Sequence, residues 1–174
     1  MLKLVEWRLV GVSTTTTIGL VAIIGAACGL RATGVAGSRH GLLARYYSNP
    51  EWTGAPVVEG RDQRLTTDAL NKRVMAIPGA ADGGFSARWQ GFLRVDQPAP
   101  YRFMVVTGNV AWLYLDGRLQ VNNGAYGPSR QTATVPLEAG LHAIELAFVS
   151  HGGDYNLDLL WPPGPGPVEP ITTD

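Results

Sequence analysis

The chain has 174 residues, which suits one compact domain with an additional segment. Lysine plus arginine and aspartate plus glutamate both number 14, so no excess of positive charge points to a nucleic-acid partner. A single cysteine excludes an internal disulfide framework and a cysteine-based zinc site.

The N-terminal part of the sequence contains an uncharged segment between Arg8 and Arg31. As a helix, residues 9–30 would be about 33 Å long, enough to cross a hydrocarbon core of about 30 Å. We therefore expect a cytoplasmic segment at residues 1–8, a transmembrane helix at 9–30 and a short linker at 31–40. Small residues at close helical spacing would form the packing face of that helix, namely Ala22, Gly25, Ala26 and Gly29.

Alternatives to this membrane anchor remain open. Ala26-Ala27-Cys28 partly fits the cleavage site of a signal peptide, although Gly25 stands where a lipoprotein signal usually has leucine. Glycine and alanine are also common in membrane helices without any packing role. The length of the uncharged segment favours an uncleaved single-pass anchor. Basic residues flank the segment on both sides, so charge barely decides its orientation. By analogy with strand-rich domains that usually lie outside the cytoplasm, the domain that follows is expected on the periplasmic or extracytoplasmic side of the cell membrane.

The rest of the sequence predicts short strands joined by turns. The strongest local signal is Asp116-Gly117 between two alternating apolar segments, which predicts a β-hairpin with a type I′ turn. Further strands are expected at 41–47, 85–95, 101–107, 131–137, 142–149 and 156–161, with a weaker segment at 65–70. Without a convincing amphipathic helix, eight or so strands predict an all-β sandwich or barrel. Residues 163–174 form a proline- and glycine-rich tail, and the stretch at residues 162–167 is not expected to join a sheet.

Five segments, in this order, resemble the PA14 domain, the anthrax protective-antigen-type β-barrel module. They are Gly41–Tyr47, Phe85–Leu93, Leu113–Leu119, Leu137–Gly140 and Leu157–Trp161. The resemblance covers residues 41–162 and implies an antiparallel PA14-like β-sandwich or barrel behind the single transmembrane helix. It implies no single function, because the family serves as a binding and architectural module in many contexts.

Resemblance to this family also bears on calcium. Members that bind carbohydrate through calcium use two adjacent aspartates just before the strand that leads into the Asp-Gly hairpin. Here the corresponding position reads Thr107-Gly108-Asn109, without a carboxylate. A hard divalent cation prefers several charged oxygens, so we expect no calcium-dependent sugar binding by that route. Asp116 matches the hairpin aspartate of the family and is expected to form the turn.

No catalytic constellation is evident, and we expect neither an enzyme nor a bound metal or cofactor. His40, His142 and His151 lack the spacing of metal ligands. Trp89, Trp112 and Trp161 lie in predicted strands and are expected in the core. Loop residues that could contact a partner or a sugar are Trp52, Asn109, Asn122, Asn123, Tyr126, Asp154 and Tyr155.

Two functional hypotheses follow from these expectations. The first is a non-catalytic, membrane-anchored accessory or scaffolding subunit. Its helix would pack in the lipid bilayer on the subunits of a respiratory, photosynthetic, transport or envelope complex, and its β domain would bridge neighbouring subunits. The alternative is a membrane-tethered carbohydrate-binding module, with a glycan as its partner.

Overall fold

The computed structural model describes residues 41–161 and 169–170 of the chain. Its strands are β1 (Leu42–Tyr47), β2 (Val58–Asp62), β3 (Phe85–Val95), β4 (Ala99–Thr107), β5 (Val110–Leu115), β6 (Arg118–Asn123), β7 (Ser129–Leu137), β8 (Gly140–Ser150), β9 (Leu157–Trp161) and β10 (Glu169–Pro170). Two helices, α1 (Thr67–Val74) and α2 (Ala80–Gly83), lie between β2 and β3.

Several of the predicted segments lie outside the residues that the structure describes. The predicted cytoplasmic segment, the transmembrane helix at 9–30 with its packing residues Ala22, Gly25, Ala26 and Gly29, and the linker all lie outside the described residues. Most of the tail at 163–174 does so too. These assignments stay predictions. Within residues 41–161 and 169–170, no helix has both the length and the apolar character needed to cross a membrane.

The strands form two antiparallel sheets. Of the two alternatives that the sequence predicted, a sandwich or a barrel, the closed barrel is not formed by the described strands. A six-stranded sheet has the order β2-β1-β3-β8-β5-β6, and a four-stranded sheet has the order β10-β9-β4-β7. The longest pairing joins β3 to β8, from Phe85 opposite Ser150 to Val95 opposite Gly140. All-β architecture and the predicted hairpin are confirmed. Asp116 and Gly117 have φ angles of 49° and 73°, the positive values that a type I′ turn requires at both central positions.

The core lies between the two sheets and follows from the alternation of side chains along the strands. In β1, every second residue from Leu42 to Tyr46 is buried. Trp89 is buried as predicted, and Trp161 packs against the core beside Tyr101 and Phe103. The expectation that Trp112 lies in the core was wrong, because it is half-buried on the outer face of the six-stranded sheet. The largest fully buried side chains come from both sheets: Tyr46, Phe85, Trp89, Phe103, Phe148, Leu113, Leu146, Leu157 and Leu159. Strands contributing such residues to one interior define a β-sandwich.

The expectation that no amphipathic helix exists was wrong, as was the weak strand at 65–70. Thr66 caps helix α1, because its hydroxyl accepts a hydrogen bond from the amide of Ala69 at 3.3 Å. Leu70 and Val74, one turn apart, are the buried residues of this helix. The helix is anchored at its start, where Leu65 accepts a hydrogen bond at 2.8 Å from the amide of Leu159 in β9.

Candidate functional site

Three loops meet at one end of the sandwich. Residues 108–109 connect β4 to β5, residues 124–128 connect β6 to β7, and residues 151–156 connect β8 to β9. The first and third loops adjoin because Val110 pairs with Val149 in one sheet and Thr107 pairs with Leu157 in the other. This end of the fold, which we call the loop end, therefore contains most of the residues predicted to contact a partner or a sugar.

A buried polar network ties these loops together. The Asn109 side chain donates to the carbonyl of Asp154 at 3.4 Å and accepts from the amide of Asn156 at 3.3 Å. The Asn123 side chain donates to the carbonyl of Asn109 at 2.7 Å, and the Thr107 hydroxyl donates to the carbonyl of Asn156 at 2.6 Å. Asn109 and Asn123 are only 3% and 4% exposed. Their amides therefore hold the loops in place and are not available to a ligand, contrary to their predicted role as contacts.

Other predicted contact residues do reach the surface at the loop end. Tyr126 is 52% exposed, and its ring meets the edge of the exposed His151 ring at a centroid distance of 5.3 Å. Asn122 and Asp154 are exposed nearby in the chain. A recess of about 320 Å³ adjoins these loops and is lined by residues that include Thr107, Gly108, Ser129, Arg130 and Asn156. The loop end thus combines an aromatic surface with polar groups.

Trp52 lies elsewhere, on the outer face of the six-stranded sheet. Its indole stacks at a tilt on Trp112, with centroids 6.1 Å apart, and the Arg88 guanidinium lies 5.4 Å from the Trp52 ring. The buried Ser86 hydroxyl accepts from the Trp52 amide at 3.2 Å, which fixes the loop although Trp52 has a φ of 53°. Ala147, opposite Trp112 on this face, is only 4% exposed. Trp52 therefore serves as a cover for the sheet.

Tyr155 turns inward rather than toward solvent. Its ring meets Phe85 edge-on with centroids 5.0 Å apart, and it packs against the core cluster. Burial raises the pKa of its phenol accordingly. The seven predicted loop contacts are therefore not one surface. Three are exposed at or beside the loop end (Asn122, Tyr126 and Asp154), and four serve mainly in packing or hydrogen bonding (Trp52, Asn109, Asn123 and Tyr155).

Asn109 stands at the position where calcium-binding members of the family are expected to have aspartates, and its side-chain amide is hydrogen-bonded within the protein. The Asn109 side-chain oxygen already accepts from the Asn156 amide, and the amide of Gly108 donates to the Asn156 side chain at 2.6 Å. Across the part of the chain that the structure describes, no three histidine, cysteine, aspartate or glutamate side chains gather in a way that could hold a metal ion. The absence of calcium binding stays a prediction.

Sequence reasoning missed a buried carboxylate, Asp62, at the end of β2. It is 8% exposed and accepts hydrogen bonds from the Tyr46 hydroxyl, from the Trp89 indole at 2.9 Å and from the Arg73 guanidinium at 2.8 Å, and it forms an ion pair with Arg73 at 2.7 Å. Burial raises the pKa of the Tyr46 hydroxyl well above its usual range, and the hydrogen bond to Asp62 raises it further. No local pattern marks this residue, because its partners lie 11 to 27 positions away.

A second missed pair joins the two hairpin turns of β5–β6 and β7–β8. His142 Nδ1 lies 2.7 Å from the Asp116 carboxylate, and Nε2 lies 2.8 Å from the carbonyl of Glu138. The hydrogen bond to Asp116, and then that to the Glu138 carbonyl, raise the pKa of His142. Asp116 also accepts from the amide of Ala143 at 2.9 Å. Asp116 thus forms the predicted turn and additionally ties that turn to β8.

The chain thus forms a two-sheet antiparallel β-sandwich whose loops at one end are joined by a polar network. The PA14 domain family model matches residues 38–163, and the chain belongs to this family. No curated protein matches the chain.

Solved structures show the same fold. Two anti-sigma factor domain-containing proteins, one of them from Clostridium clariflavum, align with TM-scores of 0.67 and 0.65 at 20% and 21% identity. The alignments cover 80% and 78% of this chain, which spans about half the length of those relatives, 49% and 46%. A PA14 sugar-binding domain from an RTX adhesin aligns with a TM-score of 0.62 at 15% identity, covering 76% of this chain and 94% of that domain.

A further similar structure is the A domain of epithelial adhesin 6 from Candida glabrata in complex with Galβ1-3GlcNAc. It aligns with a TM-score of 0.57 at 12% identity over 82% of this chain and 87% of that one. At these identities the likeness establishes the fold alone.

Proposed function

We propose that this chain is a non-catalytic glycan-binding module that binds saccharides at its loop end. The observation that carries the proposal is the exposed pair of Tyr126 and His151, held on loops that the buried network of Asn109 and Asn123 fixes in place. Rigid loops that present an aromatic ring are suited to stacking against the apolar face of a pyranose. Two structurally similar domains have names or bound ligands that identify them as sugar binders.

Polar groups beside the aromatic pair supply the hydrogen bonds that a sugar requires. Asn122 lies four residues before Tyr126 and Asp154 three residues after His151 along the chain, and both side chains are exposed. The adjoining recess adds the side chains of Ser129 and Arg130. Ligand sites generally combine an apolar surface with a few well-placed polar groups, and the loop end has both.

We further propose that this binding needs no calcium. The Asn109 side chain is 3% exposed and is hydrogen-bonded to Asp154 and Asn156, so it is not presented to a cation from solvent. Binding energy would then come from stacking and from hydrogen bonds. Such binding is weak for a single site, and the affinity of each copy is expected in the range of about 0.1 to 1 mM.

A glycan array followed by calorimetric titration tests this proposal. The full chain should be solubilised in a polyoxyethylene-ether detergent, because a glycosidic detergent would compete for the site. We expect saccharide binding that Tyr126→Ala reduces at least about tenfold and that a calcium chelator leaves unchanged. Phe92→Ala is the matched control, because Phe92 is exposed to 50% on the outer face of the six-stranded sheet.

Two results would contradict the glycan proposal. One is that the folded wild-type chain binds no saccharide at millimolar concentration. The other is equal loss of binding in Tyr126→Ala and Phe92→Ala, since that would place the site away from the loop end.

A second candidate function is the membrane-anchored scaffolding subunit. Phe92 and Leu141 favour it, because they are diagonal neighbours on the outer sheet face and are 50% and 69% exposed. Exposed apolar side chains in one place are typical of protein contact surfaces. Residues 9–30 would supply the anchor, with the β domain on the extracytoplasmic side.

Co-purification from the native membrane in a mild detergent tests this second function. A stoichiometric complex that Phe92→Ser and Leu141→Ser disrupt would support scaffolding. A chain that extracts alone, or a complex that tolerates both substitutions, would contradict it.

A further inference from the structure

A second, chemically different groove lies beside helix α1. It has a volume of about 850 Å³ and is bordered by the end of β2, the β2–α1 connection, α1 itself and Asp158 of β9. None of its lining residues belongs to the loops of the proposed glycan site. Its size falls within the range of about 300 to 1,000 Å³ that is usual for small-molecule sites.

Charged and polar side chains line almost all of this groove. Four of the lining residues are cationic: Arg61, Arg64, Lys72 and Arg73. Three are carboxylates, and their availability decides what the groove can bind.

Two of the three carboxylates are already engaged with the protein. The Asp62 oxygens accept three hydrogen bonds, one each from Tyr46, Trp89 and Arg73, and Arg73 also forms an ion pair with this carboxylate at 2.7 Å. Asp62 is also only 8% exposed and its charge is paired with Arg73, so it is not available to a ligand. Asp158 accepts from the amide and the hydroxyl of Thr67 at 3.1 and 3.2 Å. Asp158 thereby caps the N-terminus of α1, so neither Asp158 nor that helix end is available to a ligand.

The cations keep most of their donors. Arg64 and Lys72 are exposed, and among the described residues no carboxylate lies within ion-pair distance of either. Arg61 uses one guanidinium nitrogen on the carbonyl of Gly41 at 2.7 Å. Against these three cations, Asp68 is the one lining carboxylate that has no hydrogen-bond partner among the described residues. The groups that remain available therefore favour an anion.

We infer that this groove binds the carboxylate or sulfate groups of an acidic saccharide. The cations would hold the anionic group, and the polar walls, which include Gln63 and Thr66, would bond to hydroxyls. The choice of a saccharide rests on the proposed function of the chain, whereas the choice of an anion rests on the groove alone.

Calorimetric titration of the full chain in polyoxyethylene-ether detergent tests the inference. The probes are a galacturonate trimer, a heparin-derived sulfated tetrasaccharide, a neutral chitin trimer and inorganic phosphate. We expect at least one acidic saccharide to bind, with an affinity that falls as sodium chloride rises from 50 to 300 mM. The double substitution Arg64→Gln and Lys72→Gln should weaken that binding about tenfold or more.

Matched controls separate this groove from general charge and from the loop end. Arg102→Gln removes an exposed cation from β4 and should leave binding unchanged. Tyr126→Ala should reduce neutral-sugar binding alone, so failure of the proposed function and failure of this inference give different results. Three outcomes would overturn the inference: no acidic saccharide binds, Arg102→Gln has the same effect as the double substitution, or phosphate binds as tightly as the saccharides.

Discussion

Replacing Asp62 with alanine would remove a carboxylate on which three side chains converge. The Tyr46 hydroxyl and the Trp89 indole reach it from β1 and β3, and the Arg73 guanidinium reaches it from helix α1. The substitution leaves all of these donors without their acceptor. It therefore removes the ion pair between α1 and β2 and leaves two polar groups unpaired in the core.

The expected cost can be bounded from burial. Removing one partner of a buried, hydrogen-bonded ion pair costs about 3 to 5 kcal/mol. The Arg73 side chain is 33% exposed and regains contact with water, whereas Tyr46 and Trp89 are at most 1% exposed and do not. We therefore expect Asp62→Ala to lower the free energy of unfolding by about 3 kcal/mol, near the lower bound.

Urea unfolding monitored by tryptophan fluorescence measures this loss. With a denaturant dependence of about 2 kcal/mol per molar, the midpoint should fall by about 1.5 M. Asp96→Ala is the matched control, because Asp96 pairs with Arg94 at 2.9 Å while both side chains are more than 70% exposed. Such a surface pair contributes less than about 1 kcal/mol. A midpoint for Asp62→Ala within about 0.3 M of the control would refute the reasoning.

Three further predictions concern turns and caps. His142→Gln should cost more stability at pH 5.5 than at pH 8.5, measured by urea midpoints. The raised pKa means that the contribution of His142 is complete below its ordinary pKa of about 6.5 and is lost as pH rises through the raised value. Gly84→Ala should cost about 2 kcal/mol or more, because φ is 80° and a Cβ would lie 2.5 Å from the carbonyl oxygen of Ser150. Gly79→Ala, at φ 71° with open space around an added Cβ, should cost less, and thermal unfolding of the two variants measures the difference. Thr66→Ala should lower stability by about 1 kcal/mol through loss of the α1 cap, with a matching loss of helical circular dichroism.

Local signals in the sequence predicted much of the sandwich. Asp116-Gly117 determines its own turn geometry, and alternation along β1 and β3 assigns one face of each strand to the core. Helix α1 was missed because its buried face consists of only two residues, Leu70 and Val74. So short an apolar pattern does not distinguish a helix from a strand without knowledge of what it packs against.

The candidate site was less accessible to sequence reasoning. Asn109 and Asn123 look like ordinary polar loop residues, yet their partners lie 45 and 14 positions away along the chain. Burial of these amides depends on which strands adjoin, and that is a property of the whole fold. Tyr126 was correctly predicted to be exposed, because it lies among glycine and proline in a loop. Tyr155 occupies a similar local context but meets Phe85 in the core.

Pairing of β3 with β8 has a consequence for how the chain folds. The two strands are matched over their whole length, yet residues 96–139, with four other strands, lie between them. The centre of the six-stranded sheet cannot form until residues 96–139 have looped back to bring β8 beside β3. This loop closure costs conformational entropy before the strand pairing contributes any stability. We therefore expect folding on a timescale of milliseconds to seconds, as for other proteins dominated by distant contacts. The Asp116-Gly117 hairpin, which needs no such closure, is expected to form early.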